Sequence, residues 1–289
     1  MFEAFPERQL NAAFMAGSAA DAYRPHMFNI FEYEFGYSWP IAYGFAIPLA
    51  IGIALAAVAT WRRWRAWVTV VSAVVIVWSA AALYVTNVVW GINKPMTLPT
   101  ERFLQAGSGR VLDAGAGSGR AAVGVLLARP GATVTALDIY DGYMGIDDNT
   151  PARFMKNAQI AGAADRADVR TGDARQMPFA DASFDAVVSS YMIDHLGREG
   201  RTKALHEVAR VLKAHGEFLL LIVNTDWWTW LVSPPMAHHF RPDAARWRAE
   251  LHGAGFDVEE EGHQPVTLYW LARKSKTPNA QLPTTQNQQ

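Results

Sequence analysis

The sequence predicts an α/β domain, a mostly parallel sheet with helices on both faces, preceded by two membrane-spanning helices. Three observations carry this expectation. Strand and helix patterns alternate from residue 105 to 274. A strand-like run, Val111-Leu-Asp-Ala114, passes into glycines at 115, 117 and 119 and then into a helix start. Two uncharged runs, Ile41 to Thr60 and Trp67 to Val89, are each long enough at about 1.5 Å per residue to match a hydrocarbon layer of roughly 30 Å.

The 289 residues carry a net charge of −1 and no cysteine, with 51% hydrophobic residues and 11 tryptophans. Near-neutral charge without a basic stripe sets nucleic acid aside as a partner. Lack of cysteine excludes disulfides, thiolate nucleophiles and cysteine-ligated metal sites. Residues 1–39 form an aromatic-rich segment that either lies along a membrane, covers the active site, or is a leader without catalytic part. Residues 40–90 read as a helical hairpin, whose tip, Trp61-Arg-Arg-Trp-Arg-Ala-Trp67, has the composition of a membrane–water interface. A signal peptide fits poorly, because the apolar run begins forty residues in and a second follows at once. Two long buried helices of a soluble domain are the competing reading. Residues 91–104 are a linker stiffened by Pro95 and Pro99. The polar residues 275–289 are expected to form a disordered tail.

Within the domain, 105–274, strands are expected near 110–115, 133–139, 167–173, 184–190, 216–223, 256–263 and 265–273, and helices near 119–128, 151–162, 198–213 and 241–254. The last two strands, split only by a turn near Gln264-Pro265, must pair as a hairpin, making the last strand antiparallel. Gly115, Gly117 and Gly119 permit positive φ and a close backbone approach to a ligand, with helix-start amides facing the gap. Asp138, 21 residues beyond Gly117 at the end of the second strand, is placed to accept from ribose hydroxyls. Arg120 occupies the position where a dinucleotide fingerprint wants its third glycine, which disfavours that ligand. Asp173 is positioned to accept from an adenine amino group, with the Ala174 N–H facing a ring nitrogen. Open α/β sheets bind ligands beyond the carboxyl ends of their strands, so the fourth strand, ending at Ser189-Ser190, points at the reacting centre.

In order and spacing, Val111–Arg120, Ala136-Leu-Asp138, Gly172-Asp-Ala174, Phe184-Asp-Ala-Val-Val-Ser-Ser190, His206-Glu-Val-Ala-Arg-Val-Leu-Lys213 and Gly216-Glu-Phe-Leu-Leu-Leu221 resemble the class I S-adenosylmethionine-dependent methyltransferases. The likeness is to the small-molecule branch that includes the ubiquinone/menaquinone-biosynthesis enzymes, and it covers roughly residues 100 to 274. It implies a Rossmann-like, seven-stranded, mostly parallel sheet with an antiparallel last strand, and S-adenosyl-L-methionine as cosubstrate. Asp113, Gly115, Ala116, Gly117, Gly119, Asp138, Ile139, Asp173, Ala174 and Ser190 would hold that cosubstrate. Where the family usually has a Pro-Gly-Gly-like turn, this chain has Ala214-His215-Gly216.

Methyl transfer from a sulfonium needs in-line alignment and exclusion of water, with a base only where the acceptor must lose a proton, so no metal is expected. His195 is the candidate base, beside Asp194 and Tyr191, against a reading in which these residues only shape the pocket. His238 and His239 with Phe240 suit an acceptor-binding loop better than a metal site, lacking a third ligand nearby. Trp227, Trp228 and Trp230 suit an apolar acceptor or the bilayer interface, or else pack on the hairpin.

The chain is thus expected to be a membrane-anchored methyltransferase acting on a hydrophobic or lipid-like acceptor, with the lipid bilayer as partner. The alternatives are a soluble acceptor with the hairpin as anchor only, an aminopropyltransferase-like enzyme, and a non-catalytic membrane scaffold. The positive-inside rule puts the Arg62/Arg63/Arg65 loop in the cytoplasm, whereas the cytosolic cosubstrate demands the domain there, at a bacterial-type inner membrane. The cosubstrate requirement is given more weight. A hairpin dipping into one leaflet, or arginines snorkelling to far headgroups, would reconcile the two.

Overall fold

A computed structural model describes residues 33–141, 149–232, 237–238 and 242–275. Residues 1–32, Pro234-Pro235, His239, Phe240 and the tail from 276 onward lie outside the described residues.

Seven strands form one sheet: β1 Ser108–Ala114, β2 Gly131–Asp138, β3 Ala167–Thr171, β4 Phe184–Ser190, β5 Leu212–Val223, β6 Phe256–Gln264 and β7 Thr267–Lys274. Their spatial order is β3-β2-β1-β4-β5-β7-β6. β1 to β5 pair in parallel, and β7 is inserted antiparallel between β5 and β6. This is the mostly parallel sheet with an antiparallel last strand that the sequence predicts.

Both faces of the sheet are buried, so the central strands are apolar at consecutive positions rather than alternate ones. Leu112, Val187 and Leu220 face one side, with Leu205 and Val208 of α6 (Arg198–Val211) and Trp247 and Leu251 of α8 (Ala244–Gly253). Val111, Val188 and Leu219 face the other, with Val125 and Leu126 of α4 (Arg120–Ala128) and Phe154 of α5 (Pro151–Ile160). Each such side chain contributes about 1.5–3 kcal/mol by leaving water. Caps set the helix starts: Thr150 Oγ1 accepts from the Arg153 N–H at 3.3 Å ahead of Pro151, and Asp243 Oδ1 accepts from Ala245 and Arg246. The Asp243 cap begins the last helix three residues later than the sequence pattern suggests.

β5 begins at Leu212, ahead of the expected 216, because Ala214-His215-Gly216 is absorbed into the strand with His215 at φ +62°. Arg273 on β7 donates to the His215 carbonyl at 3.0 Å, which supports this irregular start.

The N-terminal helices depart from the expected pair of spans. The first run is broken into α1 Trp39–Tyr43 and α2 Ala46–Trp61. Pro48 has no N–H to give the Gly44 carbonyl, and Ile47 bonds that carbonyl instead with the tighter i→i−3 spacing. α2, with 16 residues, is about 24 Å long and falls short of a roughly 30 Å hydrocarbon layer. α3 (Ala66–Tyr84) continues through a π-turn to Val89, and this 24-residue stretch is the one helix among the described residues long and apolar enough to cross a membrane. The linker is no free spacer: Met96, Leu98 and Phe103 are buried in the domain core.

Candidate active site

Strand ends β1, β2 and β4, the loop after β3 and the N-terminal helices enclose a cavity of about 660 Å³. Asp113, Gly115, Ala116, Gly117, Asp138, Ile139, Asp173, Ala174, Ser190, Tyr191 and His195 all line it. Gly119 and Asp194 do not.

Asp113 is fully buried near the end of β1. Its Oδ2 accepts the Ala122 N–H at 2.8 Å, satisfying one of the amides that the first turn of α4 cannot use internally. Its Oδ1 has no hydrogen-bond partner in the structure. Burial pushes this carboxyl up to about 7, against the pull of the Ala122 N–H, and the Asp138 charge adds to the rise.

The glycine turn is held by its own amides. The N–H groups of Gly115 and Ala116 donate to the Leu137 carbonyl at 2.8 and 3.0 Å, and that of Gly117 donates to Asp138 Oδ2 at 2.8 Å. These three turn amides, which precede the helix start at Arg120, tie β1 to β2. Gly115, at φ +78°, makes room for Met192, whose Cγ would lie 2.3 Å from an added Cβ. Gly119, at φ +88°, starts α4 in the left-handed conformation, where a Cβ would lie 2.4 Å from Phe154 Cδ2. Gly119 is therefore a packing and capping residue, set behind the cavity wall.

Asp138 holds its own turn as well: Oδ1 accepts from the Tyr140 N–H at 2.8 Å and from Asn149 Nδ2 at 3.2 Å. Asp173 is paired with Arg175, Oδ2 to Nη2 at 2.6 Å, and this guanidinium holds its carboxyl below the usual range. Beyond β4, Tyr191 adopts φ +54°, and its hydroxyl shares a hydrogen bond with Thr267 Oγ1 and accepts from Trp90 Nε1 at 3.4 Å. His195, ending a short 3-10 turn, faces the cavity. Asp194 turns away and accepts the Val223 N–H at 3.0 Å; burial raises its carboxyl, while the His195 charge pulls it back. Asp194 thus braces β5. Among the described residues no cluster of His, Asp or Glu is arranged to hold a metal.

Several cavity residues come from chain that the sequence marked only as an aromatic-rich segment or an apolar run, or did not mark at all. Phe35, Tyr37, Pro40, Ile41 and Phe45 form one wall with Thr86 and Trp90. Asn157 fixes this wall by accepting the Glu34 N–H at 3.0 Å and donating to the Glu34 and Ser118 carbonyls. Arg120 donates to the carbonyls of Trp90 at 2.7 Å and Lys94 at 3.1 Å, and its Nη1 is buried without a partner. Asn149 also lines the cavity and leaves Oδ1 unpartnered. Periodicity finds none of these, since each acts across more than ten residues of sequence.

Residues 112–220 match a family described as a methyltransferase domain. A ubiquinone/menaquinone biosynthesis C-methyltransferase of Bartonella bacilliformis is 37% identical over 113 residues, 39% of this chain and 40% of that protein. The corresponding enzyme of Rubrivivax gelatinosus is 30% identical over 178 residues, 53% of this chain and 64% of that protein. The chain thus spans less than two thirds of either relative. A solved Burkholderia thailandensis 1,6-didemethyltoxoflavin-N1-methyltransferase is 22% identical, covering 58% of this chain and 72% of that one with a TM-score of 0.45.

Proposed function

We propose that the protein uses its methyltransferase domain to transfer a methyl group from S-adenosylmethionine to an apolar small molecule, with its N-terminal hairpin in a membrane. One observation carries the cosubstrate assignment: two opposite charges left incomplete beside the glycine turn. Asp113 Oδ1 and Arg120 Nη1 are buried polar atoms without partners, on residues that line the same cavity. Buried polar atoms are paired as a rule, and a zwitterionic amino-acid end, with its ammonium and carboxylate, complements this set. Asp138 and Asn149 Oδ1 supply acceptors for ribose hydroxyls.

The acceptor half of the cavity is built from Phe35, Pro40, Ile41, Phe45, Trp90 and Val232, which favours an uncharged, apolar acceptor. His195 faces that space, where a proton leaving the acceptor can be taken up. The Bartonella and Rubrivivax relatives, named for ubiquinone and menaquinone biosynthesis, agree with an apolar acceptor.

Calorimetry with S-adenosylhomocysteine tests the site. Asp138→Ala removes a ribose acceptor and the anchor of the Gly117 amide, so binding is expected to weaken by about 1–3 kcal/mol. An unchanged dissociation constant would remove Asp138 from the site. Mass spectrometry of native membranes incubated with isotope-labelled donor would identify the acceptor.

A further inference from the structure

The exposed apolar surface of the hairpin does not stop where the catalytic domain begins. It runs onto the rim of the cavity from two sides. On one side, Ile41 both lines the cavity and is 40% exposed, flanked by exposed Trp39 and followed along the chain by exposed Ile47 and Ile51. On the other side stands α7, Trp227–Val232. Its Val232 lines the cavity and packs with Ala82 and Val85 of the hairpin, while Trp227 and Trp230 are 61% and 49% exposed. Trp78 of α3 fastens α7 in place: its indole donates to the Leu231 carbonyl at 3.1 Å and meets Phe45 edge-on at 5.2 Å between centroids.

From this juxtaposition we infer that Trp39, α7 and the hairpin base form one lipid-contacting collar that seats the cavity mouth in the headgroup layer of a bilayer. The occupant is the membrane interface, because tryptophan is the residue type enriched at that depth and the collar is continuous with the exposed aliphatic face. The far end of the hairpin agrees. Trp61, Trp64 and Trp67 are exposed there with Arg62, Arg63 and Arg65, a second aromatic and cationic group suited to lipid phosphates. Along α3 the rise from Ala66 to Trp78 is about 18 Å and to Val85 about 28 Å, so the Val85 end of the hairpin base approaches the roughly 30 Å of a hydrocarbon layer. An acceptor resident in the bilayer would then reach the donor without crossing water. The inference rests on the proposed seating of the hairpin in a membrane, and on the methyltransferase reading only for the identity of what enters the mouth.

The cysteine-free chain makes the test direct. Full-length Trp39→Cys, Trp227→Cys, Trp230→Cys, Val74→Cys and Glu199→Cys are each labelled with an environment-sensitive fluorophore. They are reconstituted in phosphatidylethanolamine/phosphatidylglycerol vesicles carrying nitroxide either at the headgroup or deep in the acyl chain. Labels at 39, 227 and 230 are expected to shift to the blue and to be quenched mainly by headgroup nitroxide. The label at 74, an exposed position of α3 between the tip and Trp78, should be quenched mainly by deep nitroxide, and that at 199, on the exposed face of α6, by neither. If 39, 227 and 230 behave like 199 while 74 is quenched, the collar is refuted and a simple anchor remains. If 74 is also silent, the membrane reading falls with it. S-adenosylhomocysteine binding by the same labelled variants reports separately on the methyltransferase reading and on folding.

Discussion

In the proposed donor site, Asp113 concentrates the chemistry in one buried carboxyl. Its pKa near 7 lies above the ordinary value of 3.8, so the folded protein binds the extra proton between those two values. The sign follows: stability contributed by this group is greatest below the unfolded pKa and falls as pH rises toward 7. At about 1.4 kcal/mol per pH unit, the ionised group costs the unliganded protein on the order of 4 kcal/mol above neutrality. A cation bound beside it favours ionisation, so donor affinity is expected to drop as pH falls below 7, approaching tenfold per unit, with proton release on binding. Calorimetry in buffers of different ionisation enthalpy measures both. Asp113→Asn keeps an acceptor for the Ala122 amide, and should raise the melting temperature of the free protein at alkaline pH while weakening donor binding. A pH-independent affinity would show that Asp113 does not meet the cation.

The sequence made Asp113, Asp138 and the glycines conspicuous because strand-turn-helix chemistry is local. It said nothing of Arg120 Nη1 or Asn149 Oδ1. Their incompleteness exists only after distant groups, the Trp90 and Lys94 carbonyls for Arg120 and the Asp138 carboxylate for Asn149, have claimed the rest of each side chain.

Among the elements, the turn between β1 and α4 shows how packing and binding share a few residues. Gly119 is conformationally required at φ +88° and sterically required by Phe154. Gly119→Ala is expected to destabilise the protein by about 2–4 kcal/mol, through left-handed strain plus overpacking. Phe154→Ala should cost about 3–5 kcal/mol alone, and the double variant less than the two together, because the enlarged space admits the new methyl. Thermal or denaturant melts decide this. Strict additivity would show that the contact is not what fixes glycine there.

Strand positions were legible from apolar runs, and the β6–β7 pairing from the short turn between them. The hairpin was legible only in composition. Pro48 sits in the first run in plain view, yet whether a proline bends a helix or opens it depends on where the freed Gly44 carbonyl finds a donor. The start of β5 was misplaced for a similar reason, as the Arg273 contact with His215 belongs to tertiary structure.

For the whole molecule, the arrangement joins a cavity at the strand ends of a parallel sheet to an apolar wall supplied by chain that precedes the domain. The large aliphatic side chains exposed on α2 and α3, such as Ile51, Val74 and Val77, predict that the full-length protein stays with membranes through high salt and needs detergent for dispersal. Replacing Arg62, Arg63 and Arg65 together by glutamine should weaken binding to phosphatidylglycerol vesicles by roughly fivefold per arginine at low salt, with little change toward phosphatidylcholine. Cosedimentation measures this. Equal loss on both lipids would mean that the loss does not come from attraction of the tip to net anionic headgroups.

By itself, the sequence determined the sheet, its mostly parallel sense, the pairing of the last two strands and the strand ends that line the cavity, because these follow from residue patterns that repeat within a few positions. Only the tertiary structure decided that the glycine-turn amides are spent on β2, that Asp194 turns away from the cavity, and that Phe35, Tyr37 and Trp90 close it. Those outcomes depend on which distant groups satisfy a buried donor or fill a space first, and no local pattern of residues records that competition.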